Sequence, residues 1–284
     1  MKLNIRYSGL IFCIFSILFL SSESKSQNFR TYSELGVLLG GSYYLGDLNP
    51  GKQFKSTQLA LGLVYKYNTN RRFAIRANAF WGTLLAEDAN TNDEFQIRRN
   101  LMFRSRVLEF STMLEFNFFP YEVGNSSLPA TPYIFAGLGI FRTNPQAMLN
   151  DQWYDLKPLG TEGQGTVEFN DRKPYSLINM SIPFGIGFKF HAFGRMNVAL
   201  EWGMRKTFTD YIDDVSTTYV NPALLSATNG PESALLADRS LVEPGLTNVG
   251  RQRGNSQNKD WYSFVGLTLT WKLQSKAPEC AAYK

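Results

Sequence analysis

The stretch NVALEWGMRK, Asn197 to Lys206, decides how this chain must fold. Val198, Leu200, Trp202 and Met204 take every second position, and Glu201 and Arg205 stand between them. Successive side chains of a strand point to opposite faces. One face is therefore apolar and the other carries both signs of charge. In a soluble sandwich the apolar face would turn to the core and the charged face to water. In a membrane barrel the apolar face meets lipid and the charged face lines the lumen.

The same alternation runs through Glu34–Leu45, Thr57–Tyr67, Arg72–Trp81, Val107–Phe119, Pro132–Thr143, Ser181–His191 and Trp261–Leu273. With the opening stretch extended to Arg195, that makes eight segments, each near the length of about 9–11 residues that a tilted strand needs to cross a bilayer. The joins decide between the two architectures. Those at Asn68–Arg71 and Ala192–Gly194 are short and Pro120–Thr131 is moderate. Arg142–Met180 and Thr207–Asp260 are long. Short turns at one end and long loops at the other mark a membrane barrel.

Aromatic placement agrees. Trp261 and Trp271 share one face of the last segment. They lie ~33 Å apart along a strand, and a tilt of about 40° projects this onto the height of the apolar band between aromatic girdles. Trp81 falls at the outer end of its strand, and Phe118, Tyr121 and Tyr133 at inner ends. These six aromatics are the expected girdle. The fold expected is all-β: an eight-stranded antiparallel up-and-down transmembrane β-barrel with long outer loops. Asn221 before Pro222, and Pro231, read as starts of short helices in the last loop.

Composition is compatible with this fold without selecting it. Of 284 residues, 44% are hydrophobic and 19% charged, with a mean hydropathy of −0.22. The N-terminus reads as a secretory signal: Lys2 and Arg6, then the apolar run Leu10–Leu20, then small residues Ser24 and Ser26 before a cut ahead of Gln27. The expected organisation is a signal peptide over 1–26, a barrel over 27–273 and a periplasmic tail over 274–284. Both termini of the mature chain then lie in the periplasm and the barrel in the cell outer membrane. The signal's three cations and one acid carry +2 of the formal +5, leaving +3. No nucleic-acid partner follows from so small an excess. Cys280 alone remains after cleavage, so no intramolecular disulfide can form.

An eight-stranded lumen is narrow enough for side chains to fill. The inward-facing acids Glu34, Glu109, Glu115 and Glu201 meet the bases Lys66, Arg76, Lys189, Arg205 and Lys272. An unpaired charge there would cost several kcal/mol, so a paired network is expected rather than a pore. No catalytic, metal or cofactor site is expected. His191, the one histidine, falls beside a tight turn without an oriented partner. Asp210, Asp213 and Asp214 lack the ligand spacing and sharp-turn glycine of a calcium loop; hydrogen bonds that order the loop are the favoured role. The Gly-rich PLGTEGQG, Pro158–Gly165, joins no strand to a helix, so a phosphate cradle is not expected.

Several blocks, in order, resemble the PorG family of outer-membrane barrels of the Bacteroidota type IX (Por) secretion system. They are ELGVLLGGSYYLGDLNP (Glu34–Pro50), LEFNFFPY (Leu114–Tyr121), PYIFAGLGIF (Pro132–Phe141), PLGTEGQG, YSLINMSIPFGIGFKF (Tyr175–Phe190) and RKTFTDYIDDVSTTY (Arg205–Tyr219). LADRS (Leu236–Ser240) and GRQRGN (Gly250–Asn255) fit as well. The resemblance implies a non-enzymatic subunit that anchors the periplasmic ring, a lipoprotein and its soluble partner, at the outer membrane during protein export and gliding motility. The implied partners are outer-membrane lipids and that ring, with no small-molecule substrate. The periplasmic surfaces Pro120–Thr131, the tight turns and the tail 274–284 are then the candidate contacts. Two other classes remain: a stand-alone structural or adhesive barrel, and a barrel enzyme cleaving lipid or peptide through His191.

Overall fold

A computed structural model of the protein describes residues 29–240 and 247–273. The signal segment 1–26, the tail 274–284 and Cys280 lie outside the described residues.

Among the described residues ten strands form: β1 (Tyr32–Leu45), β2 (Gln58–Asn68), β3 (Phe73–Glu87), β4 (Met102–Asn117), β5 (Ala130–Arg142), β6 (Pro145–Leu149), β7 (Gln152–Asp155), β8 (Ile178–Phe193), β9 (Met196–Thr207) and β10 (Trp261–Lys272). The sheet order is β3-β2-β1-β10-β9-β8-β5-β4, and β3 pairs β4 to close the ring. Every pairing in the ring is antiparallel. Eight strands thus make an up-and-down barrel with no free edge. β6 and β7 are a hairpin standing on the end of β4. The short helices α1 (Glu94–Arg99), α2 (Leu156–Leu159), α3 (Pro222–Asn229) and α4 (Pro231–Ala237) all sit in the long connections. Asn221 caps α3 by accepting from the Ala223 N–H at 2.9 Å.

The outside is apolar. Leu59 is 70% exposed, Leu114 63% and Leu138 62%, and Leu200 and Ile186 stand out beside them. The lumen holds Glu34, Lys66, Glu109, Glu115 and Lys189, each fully buried. This inversion of the soluble pattern is the physical signature of a barrel solvated by hydrocarbon.

Three features depart from the sequence-based expectations. First, β3 and β4 run well past Trp81 and Val107, to Glu87 and from Met102, as one long hairpin. There the inward residues Leu84, Ala86 and Phe103 are buried in an apolar cluster, so polar–apolar alternation fades and no longer marks the strand. Second, the β6–β7 hairpin turns through Asn150 and Asp151, both at positive φ (50° and 62°). That is the two-residue turn Asn and Asp favour between strands, but the strands it joins are too short to show a period. Third, Tyr121 and Tyr133 are not girdle residues; both are buried, 1% exposed, and face the lumen. Tyr133 is out of phase with the outward Ile134, Leu138 and Ile140, and Tyr121 lies beyond the strand, in a turn that folds inward. Trp81, Phe118 and Trp271 are exposed on the outer face, and Trp261 is half-buried beside them.

Candidate functional site

The lumen is layered along the barrel axis. At the end of the short turns, Glu34 lies between strand neighbours Lys66 and Lys272 in register. Its hydrogen bonds go to neutral groups instead: Asn68 Nδ2 at 2.8 Å, Asn197 Nδ2 at 3.2 Å and the Thr270 hydroxyl. Lys272, expected among the lumen ion pairs, sits at the rim. It donates to the Val123 carbonyl at 3.1 Å and lies 4.2 Å from the centre of the Tyr32 ring.

Above this layer is the charge cluster. Glu115 meets Lys66 at 3.1 Å, Arg76 at 3.5 Å and Lys189 directly. Arg76 also forms a fork on Glu201, with contacts of 3.0 and 2.9 Å, and Glu201 accepts the Tyr133 hydroxyl at 2.6 Å. Paired nitrogens on paired oxygens are the strong geometry for such contacts. The Tyr133 and Phe135 rings have room because the facing wall is glycine. A Cβ on Gly187 would stand 2.4 Å from Tyr133, and one on Gly185 2.6 Å from Phe135. The next layer holds Arg205 against Glu109 at 3.3 Å, with Tyr262 donating to Glu109. Further out the lumen turns apolar, filled by Phe80, Val107, Phe141, Phe264 and the loop residues Ile212 and Val215.

Both mouths are shut. At the turn end, the β4–β5 connection tucks Tyr121 and Val123 into the opening. Tyr121 donates to Asn197 Oδ1 at 2.8 Å, and the Val123 N–H donates to the Tyr32 hydroxyl at 3.2 Å. Gly124 turns the chain back out at φ +90°, so only the far part of the connection faces outward. His191 lies here, its Nδ1 accepting the Gly124 N–H at 3.4 Å. The β8–β9 turn beside it is Gly194–Arg195, after a bulge between His191 and Phe193.

At the loop end the four long connections form one cap. Its hub is Glu162, inside the Gly-rich segment. Glu162 accepts the backbone N–H of Ser216 at 2.9 Å, the hydroxyl of Thr217 at 2.7 Å and Arg253 Nη1 at 3.0 Å. Arg253 reaches on to the Ala237 and Asp214 carbonyls. Arg99 holds Asp88 through Nε at 2.7 Å and the carbonyls of Arg253 and Asp47 at 2.7 and 2.9 Å. The three loop aspartates have separate partners. Asp210 accepts from Ser216, Asp214 from Tyr175 and Thr161, and Asp213 from Tyr44. Among the described residues no His, Cys, Asp or Glu group is arranged as a metal site. Glu162, Asp214 and Arg253 fall in the blocks PLGTEGQG, RKTFTDYIDDVSTTY and GRQRGN, but their distance along the chain hides that they meet.

Asp260 shares the Tyr44 hydroxyl with Asp213, each at 2.6 Å. One hydroxyl proton serves only one carboxylate, so the other carboxyl supplies a proton of its own. Burial and the facing acids hold both well above the ordinary carboxylate range. Burial, joined by repulsion from Asp47 and Glu162, pushes Asp210 up to about 7, against hydrogen bonding from Ser216 and attraction from Lys259. Asp214 rises to about 6, burial outweighing Arg253. These carboxyls take up protons more readily in the folded cap than in the unfolded chain, where the ordinary value is 3.8. Their contribution is complete below pH 3.8 and declines as pH rises through about 6 to 7. Hydrogen exchange of segment 208–260, corrected for intrinsic rates, should show stronger protection at pH 5 than at pH 8. Asp210→Asn should flatten part of that difference. Equal protection at the two pH values would contradict the assignment.

Among solved structures, the chain is similar to Ail, the attachment invasion locus protein of Yersinia pestis, at 8% identity. The match covers 86% of this chain and all of that one, with a TM-score of 0.41. It is similar to the N-terminal β-barrel domain of Pseudomonas aeruginosa OprF at 10% identity, over 86% and 100% of the two chains, TM-score 0.36. Neisserial surface protein A matches at 8% identity over 86% and 97%, TM-score 0.38. No curated protein matches the sequence. A family model matches residues 9–225, well over half of the chain, and the protein therefore belongs to that family, a domain of unknown function (DUF6089).

Proposed function

We propose that this protein is a non-enzymatic outer-membrane barrel of the type IX secretion machinery. Its short turns and both termini face the periplasm, where it anchors the ring formed by a lipoprotein and its soluble partner. The observation that carries this reading is the lumen, filled by ion pairs and closed at both mouths. A barrel closed in this way offers surfaces to partners rather than a path for solute. The PorG-like blocks support the choice of machinery. The outward part of the β4–β5 turn, from Gly124 to Pro129, is the ring contact proposed.

A clean deletion tests this. The deletion strain should lose cargo export, and the ring should no longer fractionate with the outer membrane. Normal secretion would remove the role and leave a stand-alone barrel. That second reading draws on the cap, whose cross-linked loops present a fixed outer surface of the kind an adhesive or structural barrel displays.

A further inference from the structure

On four of the five successive strands β4, β5, β8, β9 and β10, the outward-facing apolar run ends in a cation at the loop end; the β8 run, between β5 and β9, ends at Ile178 with Ser176 next. On β4 the outward residues from Phe118 to Leu108 span ten residues, ~33 Å of strand. At a tilt of about 40° this is the full height of the apolar band. The next outward position is Arg106. On β5 the run Ile134, Ala136, Leu138, Ile140 ends at Arg142, which pairs in register with Leu108. On β9 the run Val198, Leu200, Trp202, Met204 ends at Lys206, which pairs with Trp261. On the chain leading into β10, Lys259 is the outward position past Trp261. Arg106, Arg142, Lys206 and Lys259 are all exposed. Among the described ion pairs none involves any of them. On β1, β2 and β3 the matching outward positions are Asp47, Thr57 and Thr83, so the cations gather on one side of the barrel.

Beside Lys206 this edge is concave. A cleft of about 760 Å³ is lined by Leu45, Met204 and Trp261 from the apolar face and by Lys206 and Lys259 above them. Asp47 also lines it, and burial raises its carboxyl toward the neutral form. The cleft therefore joins an apolar floor to a cationic lip at headgroup height.

We infer that this edge binds the phosphate groups of outer-leaflet lipopolysaccharide, with the cleft at Lys206 seating one phosphorylated headgroup. Exposed cations just beyond the hydrocarbon gain from anionic groups at that depth. Arginine adds a planar fork suited to phosphate. The inference rests on the outer-membrane placement proposed above and not on the ring role.

The test uses the full mature chain folded in detergent, with purified lipopolysaccharide and the same lipopolysaccharide after chemical dephosphorylation. The triple variant R106Q/R142Q/K206Q should bind phosphorylated lipopolysaccharide about 100-fold more weakly, at about fivefold per cation removed. Wild-type protein should bind the dephosphorylated form as weakly as the variant binds the native one, and raised salt should weaken native binding. Arg98→Gln, an exposed cation on α1, should leave affinity unchanged. Heat-modifiable gel mobility reports folding of each variant. Wild-type affinity in the folded triple variant overturns the inference. Equal affinity of wild-type protein for the two lipopolysaccharides overturns it too, without needing any variant. Outer-membrane placement is read separately, by protease access to the loops on intact cells.

Discussion

Replacing Glu115 by leucine is expected to destabilise the barrel by about 3–5 kcal/mol, the cost of leaving buried charges without their partner. Among the described residues, Glu115 is the one carboxylate that touches Lys66, Arg76 and Lys189 together, and all four groups are buried. Without it, Arg76 keeps Glu201, while the two lysines keep the Tyr133 ring, at 5.4 and 4.9 Å, for Lys189 the Tyr121 ring, and only the longer-range attraction of Glu201 on Lys66 and of Glu34 on Lys189. The folded fraction, followed by heat-modifiable mobility across a urea series in lipid, should show a markedly lower midpoint for E115L. Adding Lys66→Met and Lys189→Met should recover much of the loss, because an apolar set of similar volume replaces an ionic one with little penalty. Stable open channels from the intact protein in a planar bilayer would refute the plugged lumen. So would an E115L midpoint equal to wild type.

Glu162→Leu is expected to open the cap and leave the barrel standing. Glu162 is buried and satisfies Arg253, the Ser216 N–H and the Thr217 hydroxyl at once. Its loss removes the shorter of the two carboxylate contacts of Arg253, leaving Asp214 at 3.7 Å, and strands two loop donors, a local cost of about 3–5 kcal/mol. The strands do not depend on it, because their hydrogen bonds close around the ring. Local opening can then proceed without global unfolding. Limited proteolysis should cut segment 208–260 rapidly in E162L, while the barrel core stays heat-modifiable. Glu162→Gln should fall between the two, since an amide keeps one acceptor but not the charge facing Arg253. Protease resistance equal to wild type would show that the cap does not hang on this residue.

The comparison of the two sites shows what a period can and cannot carry. Glu115, Glu201, Arg76 and Lys66 were legible as lumen residues because each stands between outward apolar neighbours. Which acid meets which base was not legible. Glu34 neighbours two lysines in register, yet bonds Asn68, Asn197 and Thr270. Arg76 reaches across the lumen to Glu201 on a strand that is not its neighbour. Tyr133 was misplaced by position along the strand, although its phase pointed inward. The apolar outer half of the lumen was hidden because a residue such as Phe80 or Phe264 looks the same whether it faces lipid or core.

The sequence by itself determined the barrel: strand count, direction, inward and outward faces, and which ends carry turns or loops. Those follow from a period of two and from chain connectivity, which are local. The tertiary structure alone decided the plug and the cap, since both join groups from strands and loops far apart in the chain. Their partners are chosen by distance across a closed ring, and no spacing along the chain encodes that distance.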